Sequence, residues 1–474
     1  METRYDLVIV GMGSGGMVAA ALATKIGLRV AAVERDRVGG DCLWTGCVPS
    51  KALLAAAKVA HHLRESAELG LTTTVAVDRA EVWKRVRAVQ ADIAATDDDP
   101  DRYRAMGLEI VAGRASLRGP HTVHVELAEG GTRDLETRFV LLCTGSRPAV
   151  PSIPGLAEAG FLTSETLWDL EEPPARVAVV GGGPIGVEMA QACARLGIAT
   201  ILLQKGPRLL PRDDPALVAT LTDVLRRDGV DVGLNVDVER VERVGADKVV
   251  RARVGDEVRT FAADEILVAA GRTPNVEGLD LDQVGIRTGP RGIEVDASMR
   301  TSVPSVYAAG DVAGRYLFTH SAATEGVRAV RNMFFPGRQR KEPTIPWATF
   351  TDPELAHAGF TVAEASQKFG AQKVRELRWE LAHNDRARAD GNTEGAIVMV
   401  LSGSRIVGAQ ILAPGAGDLI HELVLAIEQR CTVSDIANLV HIYPTLATSF
   451  GQLAAEVAFE KAAKYKWLTR LTRR

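Results

Sequence analysis

The sequence has few of the features that mark secreted, membrane-embedded or nucleic-acid-binding proteins. Its 56 basic and 60 acidic residues give a net charge of −4, which provides no electrostatic reason to expect nucleic acid as a partner. No uninterrupted apolar run reaches the 18 residues that a membrane span needs, and four glycines break the apolar stretch 7–23. Cysteines are too few and too scattered for a secreted disulfide framework: they are Cys42, Cys47, Cys143, Cys193 and Cys431. We therefore expect a soluble, cytoplasmic protein.

What the sequence does contain is typical of a large globular protein. It has 474 residues, 46% of them hydrophobic and 24% charged, which is enough for about three domains. Glycine is over-represented at 45 residues. The excess indicates tight turns or places where the backbone approaches a ligand closely.

A strand, a glycine loop, a helix and a second strand open the chain. The loop places Gly11, Gly13 and Gly16 between an apolar strand and an alanine-rich helix, and the second strand ends at Glu34. Such glycines let backbone N–H groups approach a pyrophosphate, and a terminal acid can accept hydrogen bonds from a ribose. A chance glycine loop is the alternative interpretation, but the complete βαβ context favours a dinucleotide site.

The same pattern recurs near the middle of the chain. Its loop contains Gly181, Gly183 and Gly186, and 23 residues separate the first of these from Gln204, as 23 separate Gly11 from Glu34. Two such units predict two dinucleotide sites. Gln204 does not repel a 2′-phosphate as an acid would, and Lys205 could attract one. The pair therefore favours NADPH over NADH, unless both are ordinary surface residues.

The most informative segment has two cysteines separated by four residues, directly after the first nucleotide motif. Cys47 begins a predicted helix with Pro49 in its first turn, and the helix N-terminus and Lys51 would stabilise a thiolate. Two buried free cysteines, or half of a zinc site, are the structural alternatives. Because zinc needs more ligands and no second cysteine pair exists, a redox disulfide of Cys42 and Cys47 is the favoured interpretation.

Several further motifs in order carry a family resemblance over about residues 5–458. They read CTGSRP at 143–148, AGRTPN at 270–275, VYAAGD at 306–311 and FTDPE at 350–354. Together with the two glycine loops and the cysteine pair, they resemble the class I pyridine nucleotide–disulfide oxidoreductases. That family includes dihydrolipoamide dehydrogenase, glutathione reductase and mercuric reductase.

The resemblance implies an α/β fold with two Rossmann-type domains and a C-terminal α+β dimerisation domain. We expect an FAD-binding domain at 1–150, an NAD(P)H-binding domain at 151–275, a second FAD or central part at 276–341, and a dimerisation domain at 342–474. It also implies a homodimer in which each active site draws on both subunits.

The resemblance further implies that electrons pass from a reduced nicotinamide through FAD to the disulfide. Cys47 would be the thiolate beside the flavin and Cys42 the interchange thiol, while Lys51 and Glu188 match a pair beside flavin and nicotinamide. Asp311 would hold the ribityl chain. The remaining expected cofactor contacts are Ala115, Thr144, Gly145, Ser146, Gly271 and Arg272. No resident metal site is expected.

One motif departs from the family pattern. Disulfide-reducing members carry His-Pro-Thr-x-x-Glu near the C-terminus, where this chain has Tyr443 and Thr448 in place of the histidine and the glutamate. A tyrosine with an ordinary pKa near 10 is a poor base at neutral pH. His441 would share a face with Tyr443 if the segment were a strand and could replace the base, although a structural histidine is the favoured interpretation.

The acceptor therefore stays open between a metal ion or other soft electrophile, as in mercuric reductase, and a small disulfide such as lipoamide. Mercuric reductases carry a C-terminal cysteine pair and an N-terminal metal-carrier domain that this sequence does not show. A third possibility is a flavoprotein held to a partner or a membrane surface by the basic tail 461–474, for which a solvated helix is the favoured alternative.

Overall fold

The computed structural model describes residues 4–337, 339 and 341–463, so most of the basic tail considered for membrane contact lies outside the described residues. The chain forms two compact units, described separately below. Unit 1 comprises Met1–Val59, Leu63–Ala175 and Asp264–Glu342, and unit 2 comprises Ala60–His62, Arg176–Ala263 and Pro343–Arg474. The finer bounds at 150, 275 and 341 stay a prediction.

Unit 1 is built on a parallel sheet that continues into an antiparallel one. Tyr5–Val10 pairs in parallel with Val30–Glu34 on one side and with the second half of Thr132–Leu142 on the other. Two long strands belong to both sheets: Glu109–Gly119 and Thr132–Leu142. In the antiparallel sheet, Thr122–Leu127 pairs with each of these two strands. Val306–Ala308 adds a further parallel strand. The parallel strands are apolar and almost fully buried, as expected for a sheet covered on both faces.

The remaining elements of unit 1 surround this sheet. Its strands Ser146–Pro148 and Arg272–Pro274 pair with each other, as do Thr288–Gly289 and Gly292–Ile293. The helices are Ser14–Lys25, Gly40–Trp44, Cys47–Glu65 (most of it in this unit), Arg79–Ala94, Pro100–Ala105, Leu156–Ala159, Leu281–Val284 and Thr319–Phe334. Unit 1 also contains the strand Glu265–Val268.

Close helix packing in unit 1 depends on small residues. A Cβ added at Gly326 would lie 2.5 Å from the carbonyl oxygen of Gly15, so the helices Ser14–Lys25 and Thr319–Phe334 touch through their backbones. This contact fixes the start of Thr319–Phe334 relative to the first glycine loop.

Unit 2 begins with the second nucleotide-binding pattern. Arg176–Val180, Ala199–Gln204 and Val230–Leu234 form parallel strands, with helices Pro184–Arg195 and Pro215–Arg227. Val236–Val244, Asp247–Val254 and Glu257–Ala263 form an antiparallel sheet.

The C-terminal part of unit 2 is a five-stranded antiparallel sheet with its own apolar core. Its strands, in spatial order, are Trp347–Thr349, Glu354–Gly359, Arg405–Ala413, Ala396–Ser402 and Val374–Glu380. Its helices are Val362–Phe369, Asp385–Ala389, Ala416–Glu428, Val433–Ala437 and Thr448–Ala463. The α/β fold class is confirmed in both units.

The segment that contains His441 and Tyr443 is irregular and is not a strand. The alternation that would place both side chains on one face therefore does not apply. In the described part of the chain, no helix combines the length and the hydropathy that a bilayer crossing requires.

Candidate active site

The three glycines of the first loop have different physical roles. Gly11 has a φ of +99°, and a Cβ there would lie 2.4 Å from the carbonyl oxygen of Cys143. A Cβ at Gly16 would lie 1.9 Å from the carbonyl oxygen of Gly11, so this glycine permits helix–strand packing. Gly13 is the N-cap of helix Ser14–Lys25 and would meet only the Cα of Gly40, at 3.9 Å. The space in front of this helix N-terminus suits a pyrophosphate.

Glu34 is tied to the same loop. Its Oε2 accepts a 2.6 Å hydrogen bond from the backbone N–H of Met12, and its Oε1 accepts one from Asp36. The carboxylate is thereby held at the end of the strand, where a ribose of a dinucleotide is bound in this type of fold.

The second loop repeats this arrangement with an amide in place of the carboxylate. Gly181 has a φ of +120°, and a Cβ at Gly183, the N-cap of helix Pro184–Arg195, would meet nothing within 4 Å. Gly186 is buried in that helix. The Oε1 of Gln204 accepts a 2.9 Å hydrogen bond from the N–H of Gly182, as Glu34 does from Met12.

Two basic residues follow Gln204, and both have partners within unit 2. Lys205 Nζ lies 2.9 Å from Oδ1 of Asp237, and the Arg208 guanidinium donates to the carbonyl of Pro211. The Nε2 of Gln204 donates to the carbonyl of Arg208. The strand therefore ends in an uncharged side chain at Gln204, and the charge of Lys205 is already paired with the exposed carboxylate of Asp237.

The two predicted redox cysteines lie on consecutive helices in unit 1. Cys42 belongs to Gly40–Trp44, and Cys47 is the first residue of Cys47–Glu65. Pro49 lies in the first turn of the second helix, where its missing N–H costs no helical hydrogen bond. The turn between the cysteines is held by Gln90, whose Nε2 donates to the carbonyls of Leu43 and Trp44.

The two sulfurs have opposite electrostatic environments. A hydrogen bond from Cys42, helped by a hydrogen bond from Thr319 and by the charge of Lys51, lowers the pKa of Cys47 to about 6 against the opposing effect of burial. The pKa of Cys42 is raised, first by that same hydrogen bond and then by burial. At neutral pH the dithiol form therefore holds its negative charge on Cys47, and Cys42 remains a thiol.

A hydrogen-bonded network in unit 1 connects the cysteine loop to the predicted flavin contacts. The Ser146 hydroxyl donates to Oδ2 of Asp311 at 2.5 Å, and Nε of Arg272 donates to the Ser146 hydroxyl at 2.6 Å. The guanidinium of Arg272 also lies 3.0 Å from Oδ1 of Asp41, which precedes Cys42. Burial raises the pKa of Asp311, so a polar partner for this carboxyl would be stabilising.

The two motifs at 143–148 and 270–275 meet as a short antiparallel ladder. The Thr144 hydroxyl donates to the carbonyl of Asn275, whose side chain returns a hydrogen bond to the carbonyl of Thr144. Gly145 has a φ of +68°, and a Cβ there would meet nothing within 4 Å. The carbonyl of Gly271 accepts from the N–H of Ala149, while Ala115 is buried in an apolar core of unit 1.

Lys51 and Glu188 belong to different units, Lys51 to unit 1 and Glu188 to unit 2. Glu188 is buried in helix Pro184–Arg195, and its Oε1 accepts a 2.9 Å hydrogen bond from the N–H of Phe350. This contact attaches the nucleotide-binding part of unit 2 to the start of its five-stranded sheet. The role of the pair beside flavin and nicotinamide stays a prediction.

Tyr443 is oriented by an aspartate that the motif does not contain. Its hydroxyl donates a 2.9 Å hydrogen bond to Oδ2 of Asp385. Thr448, which stands in the glutamate position, instead donates from its hydroxyl to the carbonyl of Ile442 at 3.0 Å. The residue at position 448 is therefore part of the turn and is not the partner of Tyr443.

His441 has a different environment from Tyr443. Its side chain is 10% exposed, and Nε2 lies 3.1 Å from Oε1 of Glu422. Its ring also packs against Gly451, because a Cβ added to that glycine would lie 2.9 Å from Nδ1 of His441. This enclosed, paired position supports the structural interpretation of His441.

The sequence motifs did not indicate several residues that the structure brings to these sites. Thr319 Oγ1 lies 3.2 Å from Cys47 Sγ, and Ser14 contributes a hydrogen bond that lowers the pKa of Cys42. Asp41, which pairs with Arg272, and Asp385, which accepts from Tyr443, are two further residues of this kind. Ser14 and Asp41 lie inside or beside recognised motifs, whereas Thr319 and Asp385 are far in sequence from the groups that they contact.

Comparison with known proteins gives the same assignment along nearly the whole chain. Residues 5–326 match the family described as pyridine nucleotide-disulphide oxidoreductase, and 345–454 match its dimerisation domain. A mercuric reductase of Streptomyces lividans is 34% identical, with 98% of each chain covered. A dihydrolipoyl dehydrogenase of Thermus scotoductus is also 34% identical, covering 97% of this chain and 98% of that one. The Cu(II) complex of the HOCl-induced flavoprotein disulfide reductase RclA from Escherichia coli is 25% identical, with a TM-score of 0.85 and coverage of 96% and 100%.

The chain belongs to the class I pyridine nucleotide–disulphide oxidoreductases and is an FAD-dependent enzyme of that class. The first loop fits the FAD that the family binds, because Gly13 leaves room for a pyrophosphate at a helix N-terminus and Glu34 holds a carboxylate at the end of the strand. Within the described ranges 4–337, 339 and 341–463, no three His, Cys, Asp or Glu side chains cluster as ligands of a resident metal.

Proposed function

We propose that this enzyme is a homodimeric, NADPH-oxidising reductase that passes electrons through the Cys42–Cys47 dithiol to a metal ion or another soft electrophile. FAD, when bound, supplies the two-electron relay between nicotinamide and disulfide. Cys47 holds the thiolate and Cys42 presents the thiol that meets the acceptor. Tyr443 acts at the Cys42 of a second copy, in keeping with the matched dimerisation domain.

The observation that carries this proposal is that the proton of Tyr443 is already committed to Asp385. Reducing a disulfide consumes two protons, and the leaving thiolate needs an acid such as the family histidine. Reducing a metal ion consumes none. One NADPH becomes NADP⁺ and H⁺, and its two electrons convert one Hg(II) to Hg(0) or two Cu(II) to two Cu(I). A site without a free acid at this position is suited to the second reaction.

The names of the relatives agree with both candidate acceptors. A mercuric reductase and a dihydrolipoyl dehydrogenase share the same 34% identity with this chain, and the RclA structure is a Cu(II) complex. Soft thiolates also bind such metals well. The position of Tyr443 is therefore the feature that favours a metal acceptor over lipoamide.

The preference for NADPH rests on Gln204. Its amide takes the place that a carboxylate holds in the first nucleotide fold, and it makes the equivalent hydrogen bond without a negative charge. A 2′-phosphate is then not repelled, although the ion pair of Lys205 with Asp237 reduces the attraction that Lys205 offers. The expected cytoplasmic location stays a prediction.

Stopped-flow and steady-state assays of the FAD-loaded enzyme test the proposal. NADPH should reduce the flavin quickly. Hg(II), supplied with excess low-molecular-weight thiol, or Cu(II), supplied in a thiol-free buffer, should then reoxidise the enzyme faster than lipoamide or glutathione disulfide. Cys42→Ser should abolish acceptor turnover while leaving flavin reduction intact. Faster reoxidation by lipoamide than by either metal would overturn the metal assignment and support the disulfide reductase alternative.

A further inference from the structure

Asn384 fixes the backbone on which Asp385 and Tyr443 meet. Its side chain is buried, and Nδ2 donates to the carbonyl of Thr445 at 3.1 Å and to the hydroxyl of Ser449 at 2.8 Å. Its Oδ1 accepts from the N–H groups of Arg386 and Ala387 and so caps the helix Asp385–Ala389. One buried amide therefore joins the start of that helix to the turn after Tyr443.

The turn itself is closed by its own threonines. The hydroxyls of Thr445 and Thr448 both donate to the carbonyl of Ile442, at 2.7 and 3.0 Å. Since Tyr443 follows directly, its backbone is fixed from within the turn and, through Asn384, from the neighbouring helix. The 2.9 Å contact between its hydroxyl and Asp385 thus joins two ordered segments.

We infer that Asp385 is a positioning residue that makes the phenol oxygen of Tyr443 an acceptor-only group directed at a cationic substrate. This inference rests on the proposed function. A phenol has one proton, and here that proton is donated to a carboxylate. The oxygen can then offer only lone pairs, either to a metal ion or to the S–H of Cys42.

The charge of Asp385 acts in the same direction. Its hydrogen bond and its negative charge raise the pKa of Tyr443, so the phenol stays neutral while its oxygen gains electron density. A carboxylate one side chain away from the acceptor site also favours a cation over a neutral disulfide. Where the disulfide-reducing members of the family have a histidine–glutamate pair for acid–base chemistry, Tyr443 and Asp385 form a pair that attracts a cation.

Four variants of the FAD-loaded full chain test this inference: Tyr443→Phe, Asp385→Ala, Asp385→Asn and Asp390→Asn. Asp390 caps the other end of the same short helix and pairs with Arg386, so its variant controls for loss of a nearby carboxylate. We expect Tyr443→Phe and Asp385→Ala each to lower kcat/KM for Hg(II) or Cu(II) about tenfold, with no further loss in the double variant. Asp390→Asn and the rate of flavin reduction by NADPH should be unchanged.

A spectroscopic titration separates positioning from a merely structural role. Ionised tyrosine absorbs at a longer ultraviolet wavelength than neutral tyrosine. Subtracting the pH titration of Tyr443→Phe from that of the wild type therefore reports the ionisation of this one phenol. Asp385→Asn removes the charge and keeps a hydrogen-bond acceptor, so the pKa of Tyr443 should shift downward, and Asp390→Asn should leave it in place.

The outcomes distinguish this inference from the proposed function. If Asp385→Ala behaves like Asp390→Asn while Tyr443→Phe is impaired, Asp385 does not position the phenol and the metal assignment survives. If the wild type reduces no metal acceptor, the proposed function fails, and with it the cation-directing role. An unshifted phenol titration in Asp385→Asn would also overturn the pairing, whatever the acceptor.

Discussion

The hydroxyl of Thr319 lies 3.2 Å from the sulfur of Cys47, although 272 residues separate them in sequence. Each of the two is the first residue of a long helix, Thr319–Phe334 and Cys47–Glu65. The sulfur thus lies at the N-terminus of its own helix and accepts a hydrogen bond from the first residue of another. Both effects stabilise a thiolate.

The cysteine environment predicts how single substitutions change the spectrum of the FAD-loaded enzyme. Cys42→Ser should leave a Cys47 thiolate that gives a long-wavelength charge-transfer absorbance without added reductant, present above about pH 6 and lost as pH falls below it. Cys42→Ala removes the donor to Cys47 and should move the midpoint to higher pH. Cys47→Ser should give no such band. An ordinary oxidised-flavin spectrum of Cys42→Ser from neutral to alkaline pH would contradict the assignment.

Thr319→Val tests the contact between the two helices. Valine keeps the shape and removes the hydroxyl, so in the Cys42→Ser background the midpoint of the charge-transfer titration should rise by about one pH unit. Thr324→Val serves as the matched control, because Thr324 lies on the same helix and its hydroxyl donates to the carbonyl of His320. Equal midpoints for the two variants would show that Thr319 does not stabilise the thiolate.

Both nucleotide loops and the cysteine pair could be predicted from sequence, because each is a local pattern whose glycines, strands and helix start lie within about 35 residues. Thr319 and Asp385 could not. Their roles arise from packing, such as the backbone contact of Gly326 with Gly15 and the buried side chain of Asn384. His441 and Tyr443 would share a face only if their segment were a strand, but hydroxyls of Thr445 and Thr448 bond the carbonyl of Ile442 and close a turn instead.

Coenzyme preference should follow the charge at position 204. Glu in place of Gln can keep the hydrogen bond from Gly182, as Glu34 shows in the first fold, but it introduces repulsion of a 2′-phosphate. Gln204→Glu should therefore shift the ratio of kcat/KM for NADPH over NADH toward NADH by about 1–2 kcal/mol. Lys205→Ala, which removes a side chain already paired with Asp237, should change the ratio less. A wild type that prefers NADH tenfold would contradict the interpretation.

A buried charge network in unit 2 should make that unit sensitive to the loss of one charged partner. Arg195 is 4% exposed and makes ion pairs of 2.9 Å with Asp228 and 2.8 Å with Asp352. Arg195→Met leaves both carboxylates without this partner and should cost about 3–5 kcal/mol, seen as a lower thermal unfolding midpoint. Arg104→Met breaks only the exposed pair with Asp101 and should cost less than about 1 kcal/mol. Similar midpoints for both variants would show that the buried network is not stabilising.

Replacing the tyrosine by the family base should restore disulfide chemistry, and the structure indicates which partner the base would use. Asp385 already receives the hydrogen bond from position 443, so Tyr443→His alone should place an imidazole beside a carboxylate that orients it and favours its protonated form. General acid–base assistance is worth about 10²–10⁴ in rate, so reoxidation by lipoamide in stopped-flow should rise at least tenfold while flavin reduction is unchanged.

Adding Thr448→Glu to Tyr443→His should give little further gain, because Thr448 bonds the carbonyl of Ile442 and its loss loosens the turn. Tyr443→His with Asp385→Ala should lose the gain, since the imidazole would then lack its orienting carboxylate. A gain confined to the variant that carries Glu at 448 would assign the orienting role to that position. Disulfide turnover of the wild type as fast as its flavin reduction would instead mean that no base at 443 is required, and that the proton reaches the leaving thiolate by another route.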